Sequence, residues 1–490
     1  MSLAPISDAL RAQLLRELRD ALPDDNLVED ETARRPFECD ALVMHRQLPM
    51  LVALPDTVEQ TRQVLKICHR HNIPVVARGA GTGLSAGAMP HPEGVLLVLS
   101  KLDRILNIDP EACTATVQPG VTNLSISQAA QAHGLYYAPD PSSQIACSIG
   151  GNMAENAGGV HCLKYGLTVH NLLAAKVLTV AGELLELGSR GLDSPGYDLM
   201  ALFTGSEGLL GITVEITVKL LPVPDATQVI LAGFDSITAA GNAVAAVIAE
   251  GIIPAGLEMM DALAIRAVED FAHAGYPREA AAVLLCEIDG TGAEVQHGAA
   301  RVCSVFKQQG ASTLRSSQSE AERALMWKGR KSAFPAVGRI APDYYCMDGT
   351  IPRGKVSQVL EEIARLSQHY QLPVANVFHA GDGNLHPLIL FDAGNSEQVD
   401  KAEQLGGAIL KLCVDVGGCL TGEHGVGVEK IAHMRHQFSE RELLQFEAIK
   451  FALDPGLTLN PGKGIPILKR CQEYRALPAT GRHRLATRHE

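Results

Sequence analysis

Ala77-Arg78-Gly79-Ala80-Gly81-Thr82-Gly83-Leu84-Ser85-Ala86-Gly87 follows directly on a strand-like run, Val75 to Ala77, and sets glycines at near-alternate positions with a threonine and a serine hydroxyl between them. Glycines allow positive φ and close backbone approach, so successive N–H groups can converge on a pyrophosphate. The spacing G-x-G-x-G is not the dinucleotide fingerprint G-x-G-x-x-G, and no helical pattern follows at once. Taken alone, the stretch reads equally well as a glycine-rich turn.

Two further segments change that balance. Pro139-Asp140-Pro141-Ser142-Ser143 leads into Ser148-Ile149-Gly150-Gly151-Asn152-Met153-Ala154-Glu155-Asn156-Ala157-Gly158-Gly159, and Thr204-Gly205-Ser206-Glu207-Gly208 is followed by Gly211-Ile212. Three polar, glycine-dense segments spread over one region fit a ligand longer than a single phosphate. Around them, strand-like and helix-like patterns alternate: Leu51 to Leu54, a helix over Thr57 to His71, Val95 to Leu99, Ala115 to Val117, a helix over Asn123 to His133, and strands about Ala175 to Val180 and Leu184 to Leu187 joined by an Ala181-Gly182 turn. Val214 to Leu220 alternates apolar and polar residues and ends in Leu221-Pro222-Val223-Pro224, where a boundary is expected. A fresh rhythm then begins with strand Val229 to Phe234, a helix with Asp235 as candidate N-cap, strand Val283 to Ile288 and a helix from Glu294 to Gln309. It continues with a helix over Val356 to Tyr370, strand Val374 to Phe378 and a helix over Ala402 to Val416.

In order and spacing, ARGAGTGLSAG, PDPSS, IGGNMAENAGG, KYG and TGSEGLLGI resemble the FAD-binding domain of the vanillyl-alcohol oxidase/p-cresol methylhydroxylase (PCMH) superfamily. The resemblance implies an α+β protein: a two-subdomain PCMH-type FAD-binding domain, then an α+β substrate or cap domain with an antiparallel sheet and helices. The expected division is an N-terminal helical segment at 1–45, the FAD-binding domain at 46–225, the substrate and metal domain at 226–468 and a flexible Arg- and His-rich tail at 469–490. It also implies that Arg78, Gly79, Ala80, Gly81, Thr82, Gly83, Leu84, Pro139, Ser142, Ser143, Gly150, Gly151, Asn152, Gly158, Glu207, Gly211, Ile212 and Asn460 lie near FAD. Some members tether the flavin to a histidine in the first loop; this loop has none, so non-covalent FAD is the expectation.

The later half carries a second constellation. His379-Ala380-Gly381-Asp382-Gly383-Asn384-Leu385-His386-Pro387 follows the strand at Val374 to Phe378, and Asp-Gly-Asn is turn chemistry that brings two imidazoles to the ends of one loop. Leu420-Thr421-Gly422-Glu423-His424-Gly425-Val426-Gly427 adds an acid and an imidazole flanked by glycines. Two histidines and one carboxylate are the usual protein share of an open catalytic metal site. A histidine in such a loop more often serves only as a hydrogen-bonding residue, but three candidates favour metal, and from the residues alone the third ligand is Glu423 or His424. The segments HAGDGNLHP and GEHGVG, with Leu459-Asn460-Pro461-Gly462-Lys463 after them, resemble FAD-linked 2-hydroxy acid dehydrogenases of the D-lactate and D-2-hydroxyglutarate type. That resemblance, covering about Asp40 to Lys463, implies metal on His379, His386 and Glu423 and a catalytic base at His424. Through Gly329 to Arg353 it runs closest to the branch formed by the FAD-linked subunits of bacterial glycolate oxidases.

These parts suggest a reaction. A divalent metal (zinc, manganese or iron) would chelate the hydroxyl and one carboxylate oxygen of a 2-hydroxy acid and make the hydroxyl more acidic. An imidazole, with an ordinary pKa of about 6.5, suits removal of that proton, and the flavin would take the hydride at N5. Arg330, in Trp327-Lys328-Gly329-Arg330-Lys331, is the candidate for the substrate carboxylate because a guanidinium binds it as a fork; otherwise it is an exposed basic helix end. Family members acting on dicarboxylates add a lysine in the stretch aligned with Tyr345 and Cys346, neither of which is cationic, so a small monocarboxylate is expected. Oxidation of glycolate to glyoxylate is the leading expectation, and D-lactate dehydrogenase is its neighbour. From other classes, a metal-dependent hydrolase would leave the glycine-rich segments without a task, and a non-catalytic flavin-binding subunit would not need His424.

The 490 residues exceed what one core ordinarily supports, and a net charge of −13 argues against a nucleic-acid partner, though a local basic site for a small anion remains open. No stretch reaches the roughly 20 apolar residues of a direct membrane span, and Met1 to Ala21 reads as an amphipathic helix, so the expectation is a cytoplasmic chain with any contact at the inner membrane made through partners. Eleven scattered cysteines form no C-x-x-C pair, which argues against a zinc ribbon or iron-sulfur cluster. Electrons must therefore leave by another route, and the resemblance implies a second flavin-type subunit and an iron-sulfur subunit.

Overall fold

The computed structural model describes residues 6–189 and 196–467; the expected tail at 469–490 lies outside them. The chain divides into two compact units that alternate along the sequence. The first is Met1–Ala157, Leu167–Pro222 and His424–Glu490, and the second is Gly158–Gly166 with Val223–Glu423. The change at Pro222 falls where the Pro-rich boundary was expected, but a division in simple chain order does not describe the molecule. The segment after His424 returns to the first unit because its backbone is needed there: Val75 donates to Thr458 (2.8 Å), Asn460 donates to the Val75 carbonyl (2.7 Å), and Leu459 is fully buried.

Nor do residues 1–45 stand apart as a helical segment. Helix Asp8–Ala21 is capped by Ser7 and buries Leu14 and Leu18, four residues apart on one face. These join Val64, Leu65 and Cys68 of helix Val58–Arg70 in one core, and strand Leu27–Val28 pairs with Leu51–Ala53. The latter belongs to a four-stranded sheet in which Leu51–Ala53 and Val75–Arg78 both run parallel to Val95–Val98. A five-stranded, wholly antiparallel sheet completes the unit in the order Ile105–Asp109, Thr114–Val117, Ile212–Lys219, Leu172–Leu178, Leu184–Gly188. Its last two strands are joined at Ala181-Gly182, where Gly182 has φ +76°. These are the two subdomains expected of the flavin-binding half.

The second unit is a seven-stranded antiparallel sheet in the order Ala311–Ser316, Ala226–Phe234, Ala282–Gly290, Gly256–Asp261, Val374–Phe378, Pro387–Phe391, Asp343–Cys346. Helices such as Ile237–Ala249, Gly292–Gln308 and Val356–Tyr370 pack on it. Three helix starts differ from the sequence reading: the helix expected from Glu294 begins at Gly292, behind the Thr291 cap. Ser236, not Asp235, caps Ile237–Ala249, and the helix expected from Ala402 begins at Ser396 because Asn395 accepts from the N–H groups of Glu397 and Gln398. A polar first turn hid that start from an apolar pattern. Among the described residues, no helix is long and apolar enough to cross a membrane.

Candidate functional site

In the first unit the three glycine-dense segments, far apart in sequence, meet. The loop after strand Val75–Arg78 lies against the start of helix Ile149–Glu155, whose N-cap is Ser148. A Cβ on Gly79 would sit 2.3 Å from Ser148 Oγ, so any side chain there would have to push that hydroxyl aside. The Thr204 to Gly208 segment closes on the second: Gly205 donates to Met153 (2.8 Å) and Glu207 to Ala154 (2.8 Å). Asn460 binds two of the segments at once, its Nδ2 donating to the carbonyls of Gly87 (3.2 Å) and Glu207 (2.6 Å). Pro139 and Asn152 are tied through Asn123, whose Nδ2 reaches the Pro139 carbonyl and Asn152 Oδ1, both at 3.0 Å. Asn123 was missed because it reads as an ordinary helix-start residue. Ser142 and Ser143 lie on the turn before Ser148, where the Ser143 carbonyl accepts from Ala146 and Cys147.

Several residues expected near the flavin have other tasks as well. Arg78 donates to the Cys39 carbonyl (2.6 Å) and lies over the Phe37 ring. Gly211 opens strand Ile212–Lys219, and a Cβ there would meet Val177 Cγ1 at 2.6 Å, while Ile212 is a buried core residue. The Glu207 carboxylate accepts from the N–H groups of Val426 and Gly427, both at 2.7 Å, fastening the loop that starts at His424. The fit to a flavin is supported by Ser85 Oγ, which is wholly buried here without a hydrogen-bond partner, and by the Gly79 approach, which leaves backbone rather than side chains to line the loop.

In the second unit, strand Val374–Phe378 delivers His379 and strand Pro387–Phe391 begins just after His386. The turn between them closes by hydrogen bonds of His379 N–H to Asn384 (3.1 Å) and Gly383 N–H to His379 (3.0 Å). The imidazoles meet edge to face, with ring centroids 5.2 Å apart at 88°. Strand Gly349–Thr350 pairs with Asn384–Leu385 on one side and bonds reciprocally with Cys419 on the other, which carries Glu423 to the histidines. Asp348, wholly buried, accepts from Thr421 Oγ1 (2.6 Å) and from the N–H groups of Gly422 (3.0 Å) and Glu423 (3.2 Å).

His379 Nε2, His386 Nε2 and Glu423 Oε1 converge: Oε1 lies 3.5 Å from the first and 2.9 Å from the second. Each ring turns its other nitrogen to an acceptor, His379 Nδ1 to Glu258 (2.8 Å) and His386 Nδ1 to the Met347 carbonyl (3.3 Å). Glu423 Oε2 is occupied by the Gly158 N–H (2.9 Å), so Gly158 meets the acid rather than standing only as a flavin-loop glycine. Burial opposes charge at Glu423, yet His379 and His386 hold its carboxyl well below the usual range. Burial likewise pulls His386 down, but Cys346 and Glu423 outweigh it and lift the imidazole to about 10. With both Nδ1 atoms directed at acceptors, the two Nε2 atoms and Glu423 Oε1 point to one spot, an arrangement able to hold a cation. The donor set fits a divalent metal, and all three ligand atoms lie within 4.8 Å of one another. His424, the next residue, opens the segment that rejoins the first unit.

Arg330 is not an exposed basic helix end. It is 3% exposed, and its Nε donates to Glu258 Oε2 at 2.8 Å. Glu258 was missed by the sequence reading, although an acid inside the apolar run Leu257 to Met260 was a signal, since a buried carboxylate must have partners. Asp348 offered less, being one acid in a turn-rich stretch.

Residues 49–188 match a family model described as FAD binding domain, and residues 223–464 match FAD linked oxidases, C-terminal domain. Glycolate oxidase subunit GlcD of Escherichia coli (strain K12) is 60% identical over 472 residues, 96% of this chain and 95% of that one. A probable mitochondrial D-lactate dehydrogenase of Danio rerio is 28% identical over 92% of this chain and 91% of its own. A solved structure of p-cresol methylhydroxylase with substrate bound superposes with a TM-score of 0.79 at 19% identity, covering 94% of this chain and 97% of that one. The fold is thus the PCMH-type α+β arrangement, and the hydrolase reading of the histidine cluster gives way. The chain belongs to the FAD-linked oxidase family and is an FAD-dependent oxidoreductase.

Proposed function

We propose that this enzyme oxidises a small 2-hydroxy monocarboxylate, glycolate to glyoxylate, with non-covalent FAD and a divalent metal (zinc, manganese or iron) held by His379, His386 and Glu423. The observation that carries the metal is the convergence of two Nε2 atoms and one carboxylate oxygen whose other polar atoms already have partners. The flavin, when bound, supplies the hydride acceptor, and the metal supplies Lewis acidity toward the substrate hydroxyl. The chain itself does the rest. Arg330, buried and oriented by Glu258, binds the carboxylate, and His424 takes the hydroxyl proton at its imidazole. The glycine-rich segments, Asn460 and the backbone about Gly79 hold the flavin. The substrate follows from the 60% identity with a glycolate oxidase subunit, and D-lactate is the second reading because a D-lactate dehydrogenase shares the whole length at lower identity. We further infer a second flavin-type subunit and an iron-sulfur subunit as the route for electrons, with any inner-membrane contact made through them and the chain itself in the cytoplasm.

The test is the visible spectrum of the purified protein, recorded anaerobically before and after glycolate and, separately, D-lactate. Flavin bands bleached by glycolate support the proposal; faster bleaching by D-lactate replaces the substrate. His424→Ala should keep the bands but not bleach, and normal activity of that variant in the assembled complex would make the chain a non-catalytic flavin carrier.

A further inference from the structure

Strand Gly256–Asp261 is the fourth of seven in its sheet, and Glu258 within it is fully buried. Its two oxygens are divided: Oε1 meets His379 Nδ1 and Oε2 meets Arg330 Nε, both at 2.8 Å. All three side chains are at most 4% exposed. A buried carboxylate of this kind is seldom explained by stability, because a buried ion pair gains little over apolar residues of the same volume. Its geometry offers a better account. The strand is registered against the one that ends at His379, Met259 opposite Phe378 and Met260 opposite Val377, and Gly381 N–H bonds the Leu257 carbonyl at 2.9 Å. The distance between Glu258 and His379 is therefore set by sheet backbone, while Arg330 reaches the same carboxylate from helix Glu320–Lys331.

We propose that Glu258 is a positioning residue that fixes the metal ligand His379 and the substrate-binding Arg330 to a single anchor. By accepting from Nδ1 it selects the imidazole tautomer whose Nε2 lone pair is available to the metal, the usual effect of an outer carboxylate on a metal-bound histidine. By taking the Nε edge of Arg330 it turns the forked Nη side toward an incoming carboxylate. One side chain thus sets the relation between the group that binds the substrate's charge and the group that acidifies its hydroxyl. This rests on the metal and Arg330 assignments made above.

The experiment uses the FAD-loaded, full-length protein. Zinc affinity is measured by competition with a chromophoric chelator for the wild type, for Glu258→Gln, and for the double variant Glu258→Leu/Arg330→Met. Gln keeps the shape but has a single acceptor oxygen, and the apolar pair fills the volume without a buried charge should Gln disturb folding. Zinc affinity should fall about 10- to 100-fold in both, with flavin absorbance and melting temperature retained in at least one. In Glu258→Gln, KM for glycolate should also rise. Wild-type zinc affinity in a folded variant would overturn the role of Glu258 and leave the metal reading standing. A wild type that takes up neither zinc, manganese nor iron would overturn the metal reading and the role of Glu258 with it.

Discussion

Replacing Asp348 by alanine should loosen the loop that presents Glu423, and the structure allows the loss to be graded. The buried carboxylate accepts from one hydroxyl and two backbone N–H groups, at 2.6, 3.0 and 3.2 Å. A hydrogen bond to a charged group contributes about 1.5–3 kcal/mol. The three donors are only partly buried, so water recovers some of each, and Asp348→Ala is expected to cost about 3–5 kcal/mol, against a total stability of about 5–15 kcal/mol for a domain. Asp348→Asn retains one carbonyl oxygen for the N–H groups and can turn its amide toward the Thr421 hydroxyl, which also accepts. It should cost about 1–2 kcal/mol, as should Thr421→Val, which removes a single bond. Urea unfolding followed by circular dichroism in the presence of a metal chelator gives the three values free of any metal contribution. The ordering is the sensitive part. An alanine variant within about 1 kcal/mol of wild type, or no more affected than Thr421→Val, would refute the argument that this carboxylate organises the loop.

Gly79→Ala should lower FAD content and melting temperature together, because its Cβ would displace the Ser148 hydroxyl from the helix cap, an interaction of about 1 kcal/mol; full FAD occupancy at an unchanged melting temperature would count against the close approach. Burial depresses Lys463 to about 7 despite Asp40, Glu207 and Glu155 nearby. Between that value and the ordinary lysine range the unfolded chain binds the extra proton, so stability should rise with pH by up to about 1.4 kcal/mol per unit. Lys463→Met should lose that component, and equal pH slopes for variant and wild type from pH 7 to 9 would exclude it. Glu207→Gln leaves one of the Val426 and Gly427 N–H groups facing an amide instead of an oxygen. It should cost about 1–3 kcal/mol and slow flavin reduction at retained FAD content; an unaltered rate would mean that the His424 loop is held by other contacts.

Much of this was legible because it is local. Strand Val374–Phe378 and helix Val356–Tyr370 lie where periodicity put them, and the Asp-Gly-Asn turn does bring the His379 and His386 rings together, edge to face. The loops of the flavin half were readable as a set, since glycines recur wherever the chain packs as closely as Gly79 does on the Ser148 hydroxyl. What could not be read depends on contacts between residues distant in sequence. Glu258 stands 121 residues from His379 and 72 from Arg330, and nothing near it in the chain announces either partner. Asp348 reaches Glu423 across 75 residues. Arg330 could be placed at a helix end, but whether it was buried could not be read, because a basic last turn looks the same in sequence whether it points to water or to a buried acid.

The backbone bridge between Val75 and Leu459 has a consequence for how the protein is made. Strand Val75–Arg78 is the outermost of its sheet, so until Leu459 emerges from the ribosome its outer edge has no mate. The whole of Val223–Glu423 must be translated in between, which takes roughly 10–40 s at ordinary elongation rates of about 5–20 residues per second. During that interval the nascent first unit presents an open sheet edge and lacks part of its core, the condition in which chains pair with the wrong neighbour. A chain truncated before Leu459 never leaves that condition, so nonsense mutations late in the gene should yield insoluble protein rather than a working flavin half.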